Sequence, residues 1–128
     1  MQIRRPVVAG QFYPDNRAEC IQMIEQCLPD RTPDDLPGQI FGGIVPHAGW
    51  VYSGPTAAKV FAAIRSRSTP TTFVVFSAVH RWGADRAAVY ASGAWSTPLG
   101  EIAVDDELAQ AVLAQGGGLQ LPWVSAKA

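Results

Sequence analysis

The two histidines of this chain draw attention because each follows a run of residues typical of a buried β-strand. His47 comes directly after a strand predicted over residues 39–45, and His80 follows a strand predicted over residues 71–79. A helix predicted between them completes a βαβ unit, whose strands run parallel with a right-handed crossover. Open α/β sheets bind ligands at the carboxyl ends of such strands, and neighbouring strands lie about 4.8 Å apart. The two imidazoles are therefore predicted to share one metal ion or one substrate.

Each histidine also has an ordinary structural interpretation. A hydrogen-bonded imidazole that closes the end of a strand would explain His47, and an ordinary strand-to-loop transition would explain His80. The polar loop after His80 begins with Arg81 and could instead bind an anion or shape a pocket. Because both histidines fall at predicted strand ends, a ligand-binding or catalytic role is weighed about equally with the structural one.

The residues after His47 could line a pocket beside it. Trp50 and Tyr52 lie where the next helix is predicted to begin, as pocket-lining or partly buried core residues. Ser53 is expected to cap this helix, although helix amino ends also bind anions. The pattern favours a cap at Ser53 or Gly54, with Pro55 in the first turn.

Two histidines supply only half of a metal site. Non-haem iron sites add a carboxylate to two histidines, and zinc sites use three or four protein ligands. Asp85, Asp105 and Asp106 are available, but their spacing singles out none of them. Phosphate-binding, dinucleotide-binding and H-E-x-x-H motifs are absent. A Ser–His–Asp triad remains open, without a nucleophile-elbow sequence in its favour.

Length and composition are those of one domain or part of one. The chain has 128 residues, 48% of them hydrophobic, and a formal net charge of −1. Near-neutral charge without a basic block argues against nucleic-acid binding, and no apolar stretch reaches the roughly 20 residues that span a bilayer. Cys20 and Cys27 would lie about 10.5 Å apart on one helix, too far for a disulfide. Two unpaired thiols favour structural helix positions and a cytoplasmic location.

The remaining predicted elements frame these residues. An Asn16–Glu19 capping box opens the first helix. Acidic residues open the last helix, where they suit the positive end of the helix dipole. In chain order, the predictions are an extended arm over 3–14, a helix over 16–28, a loop over 29–38, a strand over 87–91, a turn over 97–100 and a helix over 106–115 that ends at three glycines.

Four segments resemble the Memo-like proteins, called AmmeMemoRadiSam system protein B in prokaryotes. We name them the opening motif (residues 4–14, R-R-P-x-x-A-G-Q-F-Y-P), the central motif (residues 45–54, V-P-H-A-G-W-V-Y-S-G), the second-histidine motif (residues 80–81, H-R) and the fourth motif (residues 95–105, W-S-T-P-L-G-E-x-x-V-D). They occur in the family's order and cover nearly the whole chain.

The resemblance implies a fold and a metal site. The family is similar to class III extradiol dioxygenases, which hold ferrous iron with two histidines and a carboxylate. It implies a three-layer α/β/α fold with a mostly parallel sheet, with His47 and His80 as ligands to Fe(II) or Cu(I). Family members are about twice as long, and their cysteine ligand lies in the second half. Residues 1–128 are thus expected to form the amino-terminal part of a Memo-like domain, as a fragment or a degenerate copy.

Three functions follow as hypotheses. The first is a dioxygenase- or oxidoreductase-like protein with a non-haem metal between His47 and His80, whose ligand is a small molecule. The second is a non-catalytic scaffold that binds a protein or peptide in the same pocket, with a degenerate metal site. The third is a metal-dependent hydrolase, which lacks an evident general base. The incomplete ligand set suggests that a second chain completes the site, and no nucleic-acid or membrane partner is expected.

Overall fold

The structure, a computed structural model, describes residues 2–78, 80 and 88–115. The chain divides into two compact units, which are described separately. Residues 7–71 form one unit, here the helical unit, and residues 1–6 with 72–128 form the other, here the sheet unit. Helices and a small mixed sheet together make an α/β fold, which confirms the predicted fold class. The three-layer arrangement and the single domain over residues 1–128 stay predictions.

Helix α1 (Arg17–Cys27) begins where the capping box predicted. The side chain of Asn16 accepts a hydrogen bond from the backbone N–H of Glu19 at 3.0 Å, which satisfies one of the amino-terminal donors of the helix. At the other end, the backbone N–H of Leu28 donates to the carbonyl of Ile24 at 3.0 Å. The cap residue and the helix were therefore correctly predicted from local sequence alone.

Helix α2 (Trp50–Arg67) begins earlier than predicted. Gly49, and not Ser53 or Gly54, is its cap residue, so the predicted start was wrong. Pro55 consequently lies inside the helix, where its missing N–H leaves the carbonyl of Val51 without a helical donor. Val51 is largely exposed, so water can satisfy that carbonyl. The start of the helix is set by contacts with another segment of the chain, which are described with the site below.

Helices α1 and α2 pack together in the helical unit, where a glycine permits their close approach. A Cβ atom built on Gly54 would lie 2.6 Å from the Sγ atom of Cys27, well inside van der Waals contact. Cys27 is half-buried and Cys20 is buried, and neither forms a disulfide. Both cysteines lie on α1, as predicted.

The sheet unit contains a three-stranded mixed sheet in the order β1–β2–β3. Its strands are β1 (Ile3–Arg4), β2 (Ala94–Thr97) and β3 (Gly100–Ala103). Strand β1 pairs parallel to β2, with Ile3 opposite Ala94, and β2 pairs antiparallel to β3. Gly93 has a φ of +92°, and a Cβ atom built on it would collide with the Gln2 carbonyl oxygen, so no side chain would fit there.

The connection between β2 and β3 is the turn predicted over residues 97–100. The hydroxyl of Thr97 donates to the carbonyl of Gly100 at 2.8 Å and accepts from the N–H of Leu99 at 3.1 Å. Side-chain bonds of this kind stabilise a turn. The fourth motif is therefore a β-hairpin, and it leads into the last helix.

Helix α3 (Asp106–Gln115) has the bounds that the sequence predicted. Asp105 caps it: one carboxylate oxygen accepts from the N–H of Leu108 at 3.0 Å. The other oxygen accepts from the hydroxyl of Thr72 at 2.9 Å. Asp105 thus joins the start of α3 to the residue where the segment leading to His80 begins. The glycines predicted to end α3 lie outside the described residues.

The two strands predicted before the histidines were wrong. Residues 39–45 and 71–78 have no helix or strand assignment, and of residues 87–91 only Ala88 forms an isolated bridge, with residue 87 outside the described part. Apolar side chains in the two segments are exposed, for example Ile44 at 96% and Phe76 at 93%. A strand requires a hydrogen-bonded neighbour and a covering layer, and the local sequence pattern supplies neither.

Burial is confined to small side chains in the described part of the chain. The buried apolar residues there are Cys20, Ala91, Ala94 and Ala109, and Cys20 is the largest that is fully buried. No helix in the described ranges is long and apolar enough to cross a bilayer. The largest side chains of the two irregular segments, among them Phe41, Ile44 and Phe76, are exposed and so add nothing to this small core.

The contact between Gly54 and Cys27 predicts a coupled pair of substitutions. Gly54→Ala places a methyl group against the thiol and should destabilise the chain by about 1–3 kcal/mol through overpacking, despite the better helix propensity of alanine. In a Cys27→Ala background the same substitution should be neutral or stabilising by up to about 1 kcal/mol. Urea unfolding of the four variants measures this coupling. Equal effects of Gly54→Ala in both backgrounds would show that the two helices do not meet here.

The Asp105 cap predicts a dependence on acid pH. The N–H of Leu108, and secondarily the Thr72 hydroxyl, hold the pKa of Asp105 below its ordinary value. Because the pKa is lower in the folded chain, this stabilisation is present above the unfolded value of about 3.9 and is lost as pH falls through the folded pKa. Thr72→Val should raise the pKa of Asp105, measured by NMR titration of its carboxyl carbon. Thr71→Val, the matched control, should leave it unchanged; an equal shift in both variants would contradict the Thr72 contact.

Candidate functional site

His47 lies just before the start of α2, in the helical unit. Its side chain is exposed, and it belongs to the irregular segment 41–47 rather than to a strand. Two residues later Gly49, which is buried, caps the helix. The predicted strand end is therefore replaced by the entrance to a helix, and His47 is presented on the approach to its amino end.

The opening motif holds this helix entrance in place. The backbone N–H of Trp50 donates to the carbonyl of Phe12 at 2.8 Å. Gly49 packs on the same residue, since a Cβ built there would lie 3.5 Å from the Phe12 ring. The ring of Tyr13 stacks on that of Trp50, with centroids 5.3 Å apart and an interplanar angle of 29°. The opening and central motifs therefore form one contact cluster, which we call the motif junction.

Ser53 strengthens the motif junction from within the helix. Its side chain is only 7% exposed, and its hydroxyl donates to the carbonyls of Ala48 at 2.8 Å and Gly49 at 3.3 Å. Ser53 was predicted to cap α2 and instead bonds back to the preceding turn, because the helix begins three residues earlier. Its hydroxyl fixes the two residues that follow His47.

The remaining predicted pocket residues are placed differently. Tyr52 is 85% exposed, whereas Trp50 is half-buried in the motif junction. Arg81 lies outside the described residues. A pocket formed by these residues therefore stays a prediction.

His80 belongs to the sheet unit and is exposed. The neighbouring residues 79 and 81 lie outside the described part of the chain. The segment that leads to His80 is fixed at its start, where the hydroxyl of Thr72 donates a hydrogen bond to the Asp105 carboxylate. The two predicted ligands thus belong to different units, and their sharing of one ion stays a prediction.

No third metal ligand emerges from the described residues. They contain no group of three or more His, Cys, Asp or Glu side chains that could hold an ion. Asp105 uses both carboxylate oxygens for the helix cap and Thr72. The buried thiol of Cys20 donates to the carbonyl of Pro14 at 3.1 Å. Burial, and then the nearby Glu19 and Asp15 carboxylates, raises the pKa of Cys20, which disfavours the thiolate that metals bind.

A second contact between motifs occurs in the sheet unit. The guanidinium of Arg4 lies 4.1 Å from the ring centroid of Trp95, a cation–π distance, and the two residues are paired across β1 and β2. Tyr90 meets Trp95 edge to face, with centroids 5.8 Å apart. Arg4 and Trp95 belong to separate sequence motifs, and their contact was not predicted. No local signal could have found it, because parallel pairing joins segments far apart in the chain.

The role of Ser53 predicts a selective loss of stability. Ser53→Ala removes a buried donor and should lower the free energy of unfolding by about 1 kcal/mol. Ser66→Ala is the matched control, because that hydroxyl also donates to a backbone carbonyl of α2 but is exposed. Thermal unfolding of both variants checks the difference. An equal loss of unfolding free energy in the two variants would show that Ser53 does not stabilise the motif junction.

The region that contains the four motifs matches known proteins. A family model described as Memo-like protein matches residues 4–121. A MEMO1 family protein of Thermococcus onnurineus is 43% identical over 115 residues, which are 90% of this chain and 39% of that protein. One from Pyrococcus furiosus is 42% identical over 110 residues, 86% of this chain and 37% of that protein. One from Pyrobaculum aerophilum is 39% identical over 118 residues, which are 88% of this chain and 42% of that protein.

These matches have two consequences. The chain spans about two fifths of the length of the curated relatives it matches. The matched region contains the motif junction, the Arg4–Trp95 contact and both histidines. This chain therefore belongs to the Memo-like protein family.

Proposed function

We propose that this Memo-like chain binds a metal ion, Fe(II) or Cu(I), through His47 and His80. The observation that carries the proposal is the motif junction, which fixes the backbone directly after His47 by the Trp50–Phe12 hydrogen bond. A ligand whose backbone is held in advance loses less conformational freedom on binding. Neutral imidazole suits both iron and copper.

The described donors fit such a metal only in part. Two imidazoles are present, whereas non-haem iron sites use two histidines with a carboxylate. No described carboxylate or thiolate completes a group of three with them. The third donor is assigned to a second chain, and no residue of this chain is singled out for that role. No reaction step is derived through the metal.

The chemistry that follows from this proposal is that of the family resemblance. The same proposal includes oxidoreductase- or dioxygenase-like activity on a small molecule, the three-layer fold and a cytoplasmic location. When bound, the metal would supply a Lewis-acidic, redox-capable centre. This chain's own residues hold His47 beside the amino end of α2. They also fix Thr72, where the segment that leads to His80 begins, by its hydrogen bond to Asp105.

A scaffold function is the second candidate, and one observation favours it. A metal enzyme requires a complete donor set, and none is found among residues 2–78, 80 and 88–115. A chain that lost its third donor could keep the fold and bind a peptide or protein instead. Peptide binding that persists in a His47→Ala/His80→Ala double variant would favour this candidate.

Anaerobic titration with Fe(II) and Cu(I) distinguishes the two candidates. The wild-type chain should bind one ion, and the two histidine Cε1–H resonances should shift or broaden together in the NMR spectrum. His47→Ala and His80→Ala should each weaken binding by at least about tenfold, and the double variant should abolish it. Cys27→Ala is the matched control for copper held by a half-buried thiol, and it should keep the wild-type stoichiometry.

Two results would contradict metal binding at the histidines. In one, the folded wild-type chain binds neither ion. In the other, the double variant binds with the wild-type stoichiometry. A copper site lost in Cys27→Ala, with both histidine signals unmoved, would assign copper to the thiol and reject it for the histidines.

A further inference from the structure

A cleft of about 440 Å³ lies in the helical unit, between α2 and the loop that follows α1. Its apolar walls come from Val60, Ala63 and Ile64 of α2 and from Leu36 and Ile40 of the preceding segment. Neither histidine lines it, so it does not belong to the proposed metal site. Small-molecule pockets commonly have volumes of about 300–1,000 Å³ and mostly apolar walls with a few polar groups. The cleft therefore has the size and the lining of a ligand site.

Two contacts join the walls of the cleft. The guanidinium of Arg67, in the last turn of α2, donates to the carbonyl of Leu36 at 3.4 Å. Farther towards the start of the helix, segment 41–47 approaches α2 so closely that a Cβ atom built on Gly43 would collide with a methyl group of Val60. Leu36 and Val60 both line the cleft. The cleft is therefore bounded by elements that contact each other directly.

Two cationic side chains, Arg31 and Lys59, line the cleft together with the apolar residues. Both are exposed, and neither forms an ion pair or a hydrogen bond with another residue in the described part of the chain. The same loop carries the carboxylates of Asp30, Asp34 and Asp35, but these are exposed and none of them lines the cleft. Cations beside an apolar surface are complementary to a ligand that has an anionic head and an apolar body.

We propose that this cleft binds a small amphipathic carboxylate, with its head on Arg31 and Lys59 and its apolar body against Val60 and Ile64. Arginine matches the two oxygens of a carboxylate with paired N–H donors, and lysine adds a compact positive charge. An inorganic anion would leave the apolar walls in water, and a neutral apolar molecule would leave both cations without a counter-ion. The argument does not depend on the metal proposal, and its test is carried out without metal.

The test titrates the methyl-labelled chain with octanoate, kept below its micellar concentration, and follows binding by NMR. Octanoate should bind saturably and shift the methyl signals of Leu36, Val60 and Ile64. Octanamide, which has the same apolar chain without the charge, should bind about tenfold more weakly. Arg31→Gln and Lys59→Gln should each weaken octanoate binding about threefold, as expected for exposed charge pairs. The double variant should weaken it about tenfold, because the two losses add.

Arg65→Gln is the matched control, because it removes another exposed cation of α2 that does not line the cleft, and it should leave the affinity unchanged. No saturable binding, equal affinity for octanoate and octanamide, or equal weakening by Arg65→Gln and Lys59→Gln would each overturn the proposal. Inorganic phosphate that displaces octanoate would assign the two cations to a free anion and also overturn it. A dimer that shifts the same methyl signals without octanoate would assign the cleft to a second copy, with the same consequence.

Discussion

The hydrogen bond from the Trp50 N–H to the Phe12 carbonyl sets where α2 begins, and the position of His47 depends on it. Without this bond, the sequence favours a start at Ser53 or Gly54 with Pro55 in the first turn. With it, Gly49 becomes the cap and Ser53 becomes a buried donor to the turn before it. Each peptide group near a helix end requires a partner, and the opening motif supplies one.

The opening motif contributes to both units of the chain. Phe12 and Tyr13 hold the start of α2 in the helical unit. Arg4 pairs with Trp95 in the sheet unit and lies over its ring. A short segment that contributes to two sets of contacts is sensitive to substitution at many positions.

Short sequence patterns correctly predicted the helix caps. Contacts between distant segments determine the features that were predicted wrongly. Asn16 and Asp105 cap their helices as expected, because a cap is made within four residues of sequence. The start of α2 was wrong because it is set by Phe12, about forty residues away. The predicted strands were wrong over residues 39–45 and 71–78, because an apolar run becomes a strand only beside a partner. The family was correctly identified from its motifs, whereas the contacts between those motifs could not be read from the sequence.

The central claim is the proposal that His47 and His80 bind the same ion. X-ray absorption spectroscopy of the Fe(II)-loaded chain tests it most directly, because imidazole rings give a characteristic multiple-scattering signal whose amplitude reports how many are bound. The account predicts two imidazoles on each iron in the wild-type chain and one in His80→Ala. One imidazole or none in the wild-type chain, or an unchanged spectrum in His80→Ala, would contradict it.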